Sequence, residues 1–298
     1  MPWTEWTSPC SFDALNIGEI EWVCKVYNPP LWGHLFGSWG RTDTNGNAAA
    51  IDRDLYGFIG GADREISPGV RAGFALGYAR AGYDVTARAS AGDSDNFHVA
   101  AYAGTALGDA ALKGLVTYGY GRADTQRRVV VGGLTNDLTA SYGTHTFQAA
   151  TEASLDFDRG ALTLTPFAGL AGIHIETEGF TETGGPAALT VGSASSTIGV
   201  STLGLRLQHE AGGISLGGAA AWRHAFGDVE PALSVAFASA PASAFTVRGT
   251  PISENVLALD LSVGARLGEG ATLTFGYAGE LASDARNHGA RAELRFTF

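Results

Sequence analysis

The chain is 298 residues long, 45% apolar and only 16% charged, with 42 glycines and a formal net charge of −11. No apolar stretch reaches the ~18 residues of a membrane helix, which excludes that element but not a barrel whose apolar residues alternate with others. Lys and Arg form no cluster, Arg127–Arg128 being an isolated pair, so the composition excludes a nucleic-acid surface.

Residues 1–30 differ from the rest of the chain: they hold three of the six Trp, both cysteines and the Pro29–Pro30 stop, with little alternation. Asp13–Val26 is read as a short helix capped by Asp13, the alternative being a leader without fixed structure. Cys10 and Cys24 are able to pair, and their spacing matches no metal motif. Met1–Pro30 shows no basic start, apolar core and small-residue cleavage site, so a piece of a longer precursor or a true start upstream is expected.

From Leu31 the chain reads as about twelve strands, near 31–43, 53–66, 70–85, 93–107, 111–122, 139–157, 161–176, 196–210, 213–226, 254–267, 271–282 and 288–298. Tight connections at Ser67–Gly69, Gly108–Asp109, Arg159–Gly160, Ala211–Gly212 and Gly268–Gly270 carry the Gly, Pro and Asp that turns require. They alternate with longer polar loops at Thr44–Asp52, Thr86–Gly92, Ala123–Leu138, Thr177–Ser195, Gly227–Ser253 and Ser283–Asn287. Strict alternation of short and long connections is the pattern of an antiparallel up-and-down transmembrane β-barrel with tight periplasmic turns and longer outer loops.

Within the strands one face is apolar and the other is not. In the last, Ala290, Ala292, Leu294, Phe296 and Phe298 oppose Arg291, Glu293, Arg295 and Thr297. Leu257, Leu259, Leu261 and Val263 oppose Asp260, Ser262 and Arg266, and Leu203, Leu205 and Leu207 oppose Arg206 and Gln208. Unpaired charges would cost several kcal/mol each in a packed core. The expectation is therefore a hydrated pore lined by Glu152, Arg206, Arg223, Asp260, Arg266, Glu280, Arg291, Glu293 and Arg295. Inner Gly73, Ala75, Gly77, Gly217, Ala219 and Ala221 are expected to leave space for something held inside.

No catalytic or cofactor signature emerges. The seven His are scattered over separate strands without a His-x-x-x-His pair, and phosphate-binding glycine loops are absent. Asp93, Asp95 and His98 are the one group that a barrel hydrolase with a rim site could use.

Over 31–298 the chain resembles the β-domain, or translocator, of classical monomeric autotransporters, the type V secretion proteins of Gram-negative bacteria. The matching residues are Trp32–Gly33, Gly37–Gly40, Gly60–Asp63, Gly73–Tyr78 with Asp84, Ala140–Tyr142, Pro166–Leu170, Phe180–Glu182 with Gly184–Gly185, Ser201–Gly204 with Arg206, Ala221–Asp228, Phe245–Val247 with Gly249 and Pro251, and Phe298. The resemblance implies an all-β barrel of about twelve strands in the bacterial outer membrane, surrounded by its lipid, with a linker helix in the pore joined to an N-terminal passenger. It also implies assembly by the Bam machinery, which reads the terminal strand through Leu294, Phe296 and Phe298. Residues 1–30 depart from it: they do not resemble the usual linker helix and lack the adjacent-Asn cleavage site of some members.

The function read from the sequence is export and anchoring of an N-terminal passenger by a monomeric barrel, 31–298, preceded by a leader or linker, 1–30. No cofactor, metal or nucleic acid is expected. The alternatives are an outer-membrane hydrolase and a small porin or adhesin.

Overall fold

The computed structural model describes residues 31–44, 48–268 and 271–296, with the backbone of two short upstream segments, Ser11–Ala14 and Ile20–Val23. Those two segments pair antiparallel, Ser11 opposite Val23 and Ala14 opposite Ile20, so the described part of Asp13–Val26 is strand where a helix was expected. Ile20, Trp22 and Val23 suit a strand better than a helix, because branched and aromatic side chains lose rotamer freedom against a helical turn. Cys10, Cys24, Thr297 and Phe298 lie outside the described residues.

Twelve strands form the barrel. They are β1 (Leu31–Thr42), β2 (Ile51–Ser67), β3 (Val70–Val85), β4 (Ser90–Leu107), β5 (Ala110–Val131), β6 (Leu134–Leu155, resuming at Phe157–Arg159 after a break at Asp156), β7 (Leu162–Thr177), β8 (Ala194–Ala211), β9 (Ile214–Gly227), β10 (Asn255–Leu267), β11 (Ala271–Leu281) and β12 (Ala285–Phe296). Each pairs antiparallel with its sequence neighbours. The ring closes where β12 meets β1, Phe296 opposite Leu31 and Ala285 opposite Thr42. Among the described residues the ring is continuous, with every barrel strand paired on both sides, the condition for a sheet surrounded by hydrocarbon.

The outer surface is apolar wherever the period-two pattern says it should be. Leu35, Phe58, Leu76, Val99, Val116, Leu170, Leu203, Leu261 and Phe275 are exposed, and they alternate with inward residues. In a soluble domain such a belt would be an aggregation surface; around a barrel it faces lipid.

The rims differ. The short-turn rim also carries Leu31 and Phe296, the two ends of the barrel. On the opposite rim several expected loops are ordered structure. Thr86–Gly92 shrinks to a single 3₁₀ turn, Thr86–Arg88, with Gly92 already in β4, and Arg286 and Asn287 belong to β12. Ala123–Leu138 is not a loop: β5 and β6 run 22 residues each and turn at Gly132–Gly133, whose φ values of 57° and 84° only glycine adopts without strain. At roughly 3.4 Å per residue and ~40° tilt such strands rise roughly 57 Å, about twice a ~25 Å apolar band, so the hairpin stands clear of the membrane. The two longest loops also fold, contributing Phe180–Thr181 with Leu189–Val191, and Ala232–Phe237 with Phe245–Arg248, to a four-stranded sheet at this rim.

Candidate functional site: the lumen and its outer mouth

Charged side chains project into the lumen from almost every strand, and the structure joins them in pairs. Glu152 on β6, whose side chain is only 4% exposed, receives Nη1 and Nη2 of Arg206 on β8 at 2.9 and 2.6 Å. Lys113 Nζ on β5 lies 3.7 Å from the same carboxylate. The Arg206 guanidinium stacks 3.7 Å above the Phe167 ring on β7, a cation–π contact. Arg223 on β9 donates to Glu280 on β11 at 2.5 Å, Arg291 on β12 pairs with Asp260 on β10, and Arg295 donates to Glu293 two residues away. Arg266, on the inward face of β10 near the tight turns, remains exposed.

Pairing accompanies burial: Glu152, Asp260, Arg223, Arg291 and Glu293 are buried, each beside an opposite charge two or more residues away. Inner glycines are not all open space. Gly73 lies under Tyr102 and Asp63, a Cβ there coming within 2.6 Å of the tyrosine ring. Tyr102 takes a hydrogen bond from Trp32 Nε1 at 2.8 Å and donates to Asp63 at 3.1 Å, and Asp63 accepts from Arg71 Nε at 2.8 Å. Asp63, Arg71 and Tyr102 were missed as lumen residues. Face parity along their strands would have placed them inward, but not named their partners.

The outer mouth is partly closed. Val229 and Ile252, at the two ends of the β9–β10 loop, hydrogen-bond to each other through the backbone at 2.8 Å and pack on an inner-wall cluster of Ile173, Ile198, Val200 and Ala225. Beside them is a cavity of about 490 Å³ whose lining includes the apolar Ile175, Ile198 and Ile252 and the charged Arg53, Arg223 and Glu280. The rim sheet is anchored by residues that sequence reasoning passed over. Arg127, on the inner face of the projecting hairpin, grips Glu182 with two bonds of 2.6 Å and reaches the Ala187 carbonyl at 3.1 Å. Glu182 also accepts Leu189 N–H at 2.8 Å, and Asn136 Oδ1 accepts Ala187 N–H at 3.0 Å. Tyr142 stacks on Phe180 with ring centroids 4.3 Å apart. Arg128 points the other way and pairs with Asp137 at 2.6 Å.

The group that a hydrolase would use is taken apart. Asp93 and Asp95 share the outward face of β4 with Phe97 and are held there by Arg80 and Tyr78, at 2.7 and 2.5 Å. His98 has the opposite parity and packs beside Gly119 on the inner face. A strand separates acid from base, and no relay joins them. Among the described residues no group of three His, Cys, Asp or Glu side chains converges as a metal site.

Comparison with known proteins fits this architecture. The profile of the family described as autotransporter beta-domain matches residues 31–278. An extracellular serine protease of Serratia marcescens is 34% identical over 278 residues, which is 92% of this chain and 26% of that protein; a second from the same organism is 32% identical. The chain thus spans about a quarter of the length of these relatives. Among solved structures, the translocator domain of NalP from Neisseria meningitidis superposes with a TM-score of 0.76 at 16% identity, covering 91% of this chain and 90% of that one. The β-domain of Bordetella BrkA gives 0.66 at 20% identity, covering 90% and 98%. The barrel, the ordered outer rim and the family match lead to one conclusion: the chain belongs to the autotransporter β-domain family and is a translocator barrel of the bacterial outer membrane.

Proposed function

We propose that this barrel carries its own upstream segment, and the passenger attached to it, across the outer membrane, and that the lumen guides and then holds that segment. The supporting observation is topological. Leu31 starts on the rim of tight turns, beside Phe296, and the barrel wall is closed all round. A polypeptide preceding Leu31 reaches the opposite side only through the lumen.

In this reading residues 31–298 are the working unit and 1–30 its leader or linker. The pairs Glu152–Arg206, Arg223–Glu280, Asp260–Arg291 and Glu293–Arg295, with Arg266 exposed near the tight turns, form a wall of largely matched charges that holds the barrel's shape and offers a polar track without a strong net field. The barrel acts as a monomer and its work is physical; its residues take no part in a reaction. That the Serratia relatives are extracellular serine proteases fits a passenger carried by such a barrel. Leu294, Phe296 and Phe298 serve as the mark that the Bam machinery recognises during insertion.

Planar-bilayer conductance tests the reading. The barrel freed of its upstream segment should conduct, and a supplied linker peptide should block it. A conductance that the peptide leaves unchanged would contradict a lumen built to hold that segment.

A further inference from the structure

The outward face of the barrel is electrically lopsided. On β2–β5 the outward positions toward the outer rim carry six acids, Asp52, Asp54, Asp84, Asp93, Asp95 and Asp124, against three bases, Arg80, Arg122 and Arg128. On β8–β12 no outward strand position holds Asp or Glu; the charged or imidazole side chains there are His209, His224, Arg286 and His288. Three of the four, His224, Arg286 and His288, lie toward the outer rim, and they share their faces with Trp222, Phe226 and Leu294.

These groups are also oriented. Asn255 Oδ1 accepts from both Trp222 Nε1 and His224 Nδ1 at 3.1 Å, so His224 has Nε2 left for another partner. His288 is held the same way, its Nδ1 2.7 Å from the Tyr277 hydroxyl, with the Trp39 ring 6.4 Å from its own. Arg286 stands exposed two residues before His288 on the same face, and among the described residues no hydrogen bond or ion pair engages it. The nearest acid in sequence, Asp284, is occupied by Ser253 at 2.6 Å.

A guanidinium at this height of an outer-membrane barrel meets the headgroups of the outer leaflet. Arg presents a planar fork suited to phosphate oxygens, and flanking Trp and Tyr rings are at home at the apolar–polar boundary. We propose that the outward face of β9–β12, centred on Arg286 and His288 with His224 beside them, is a binding surface for phosphate-bearing lipid headgroups. The barrel would then hold a preferred lipid on this flank and none on the acidic flank of β2–β5, giving it a fixed orientation toward its lipid neighbours.

Quenching of outward tryptophans by brominated lipids reads this preference directly. The full chain is reconstituted in phosphatidylcholine bilayers containing brominated phosphatidic acid or brominated phosphatidylcholine, and the Trp39 signal is isolated by difference from Trp39→Phe. The expected result is a preference of about tenfold for phosphatidic acid at Trp39, the scale of one charge-assisted hydrogen-bonded contact, and little preference at a reporter introduced by Phe97→Trp on β4. Arg286→Gln with His288→Gln should remove the preference while heat-modifiable gel mobility shows that the barrel is folded. Equal preference at both reporters, or an unchanged preference in the double variant, would overturn the proposal. So would loss of the preference to excess inorganic phosphate, which would mark a site for a soluble anion rather than a lipid.

Discussion

Arg291 on β12 reaches across β11 to Asp260 on β10, its Nη2 2.8 Å from Oδ1, and it passes over Gly276 to do so. A Cβ at Gly276 would sit 2.6 Å from Arg291 Nε, so the glycine is what lets the pair span two strand spacings. Both side chains are buried, at 6% and 4% exposure. A buried charge that loses its partner is far more costly than a pair replaced as a unit, and this asymmetry gives the first prediction.

Asp260→Ala or Arg291→Ala alone should destabilise the folded barrel by about 3–5 kcal/mol, whereas Asp260→Leu combined with Arg291→Met should return it close to the parent. The denaturation midpoint in detergent micelles, followed by the folded band on gels, distinguishes the two. Equal losses in the single and double variants would show that packing, not charge compensation, dominates at this position.

Tyr102→Phe should cost about 1–3 kcal/mol, because it removes the hydroxyl that accepts from Trp32 and donates to Asp63, leaving a buried indole N–H without its acceptor. The same denaturation assay checks it, and Trp32 emission should change together with the loss of stability.

At the projecting hairpin, the Arg128 guanidinium hydrogen-bonds Asp137 and holds its carboxyl below the ordinary carboxylate range. A group with a depressed pKa contributes stability above its unfolded pKa and loses it as pH falls through the folded value. The tip contact should therefore be intact at neutral pH and open only under acid conditions below the usual Asp range. Side-chain NMR of Asp137 follows it, and Arg128→Gln should move its titration back up to the ordinary value of about 3.9.

Deleting Phe298, or replacing Phe296 with a polar residue, should slow insertion without changing the stability of barrels already inserted. The yield of heat-modifiable protein in outer-membrane fractions reports this. Normal yield after both changes would show that recognition rests elsewhere.

The barrel itself was legible because lipid outside and polar groups inside impose a period of two, and because glycine turns such as Gly108–Asp109 separate the strands. Phe275, Tyr277 and the Leu257–Val263 series could be assigned to the outer face from that alone. The projecting hairpin was not legible. Beyond the membrane no lipid enforces an apolar face, so Thr125, Arg127 and Thr135 read as loop although they belong to strands. Nor does alternation reveal who pairs with whom. Arg206 was placed in the lumen by parity, but its bond to Glu152 crosses from β8 to β6 past β7, and only the closed, curved wall brings those strands together. Parity did hold the answer for Asp93, Asp95 and His98: odd and even positions on one strand face opposite ways.

Ala219 and Ala220 are adjacent on β9, one facing the lumen and the other lipid, and they offer the most direct test of the central claim. With Cys10 and Cys24 replaced by serine and an epitope tag and one cysteine placed in the segment ahead of Leu31, Ala219→Cys should form a disulfide with that segment during export, and Ala220→Cys should not. Reduction should then release the tag to the cell surface. Cross-linking at Ala220, or a tag that reaches the surface with no contact at Ala219, would contradict passage through the lumen.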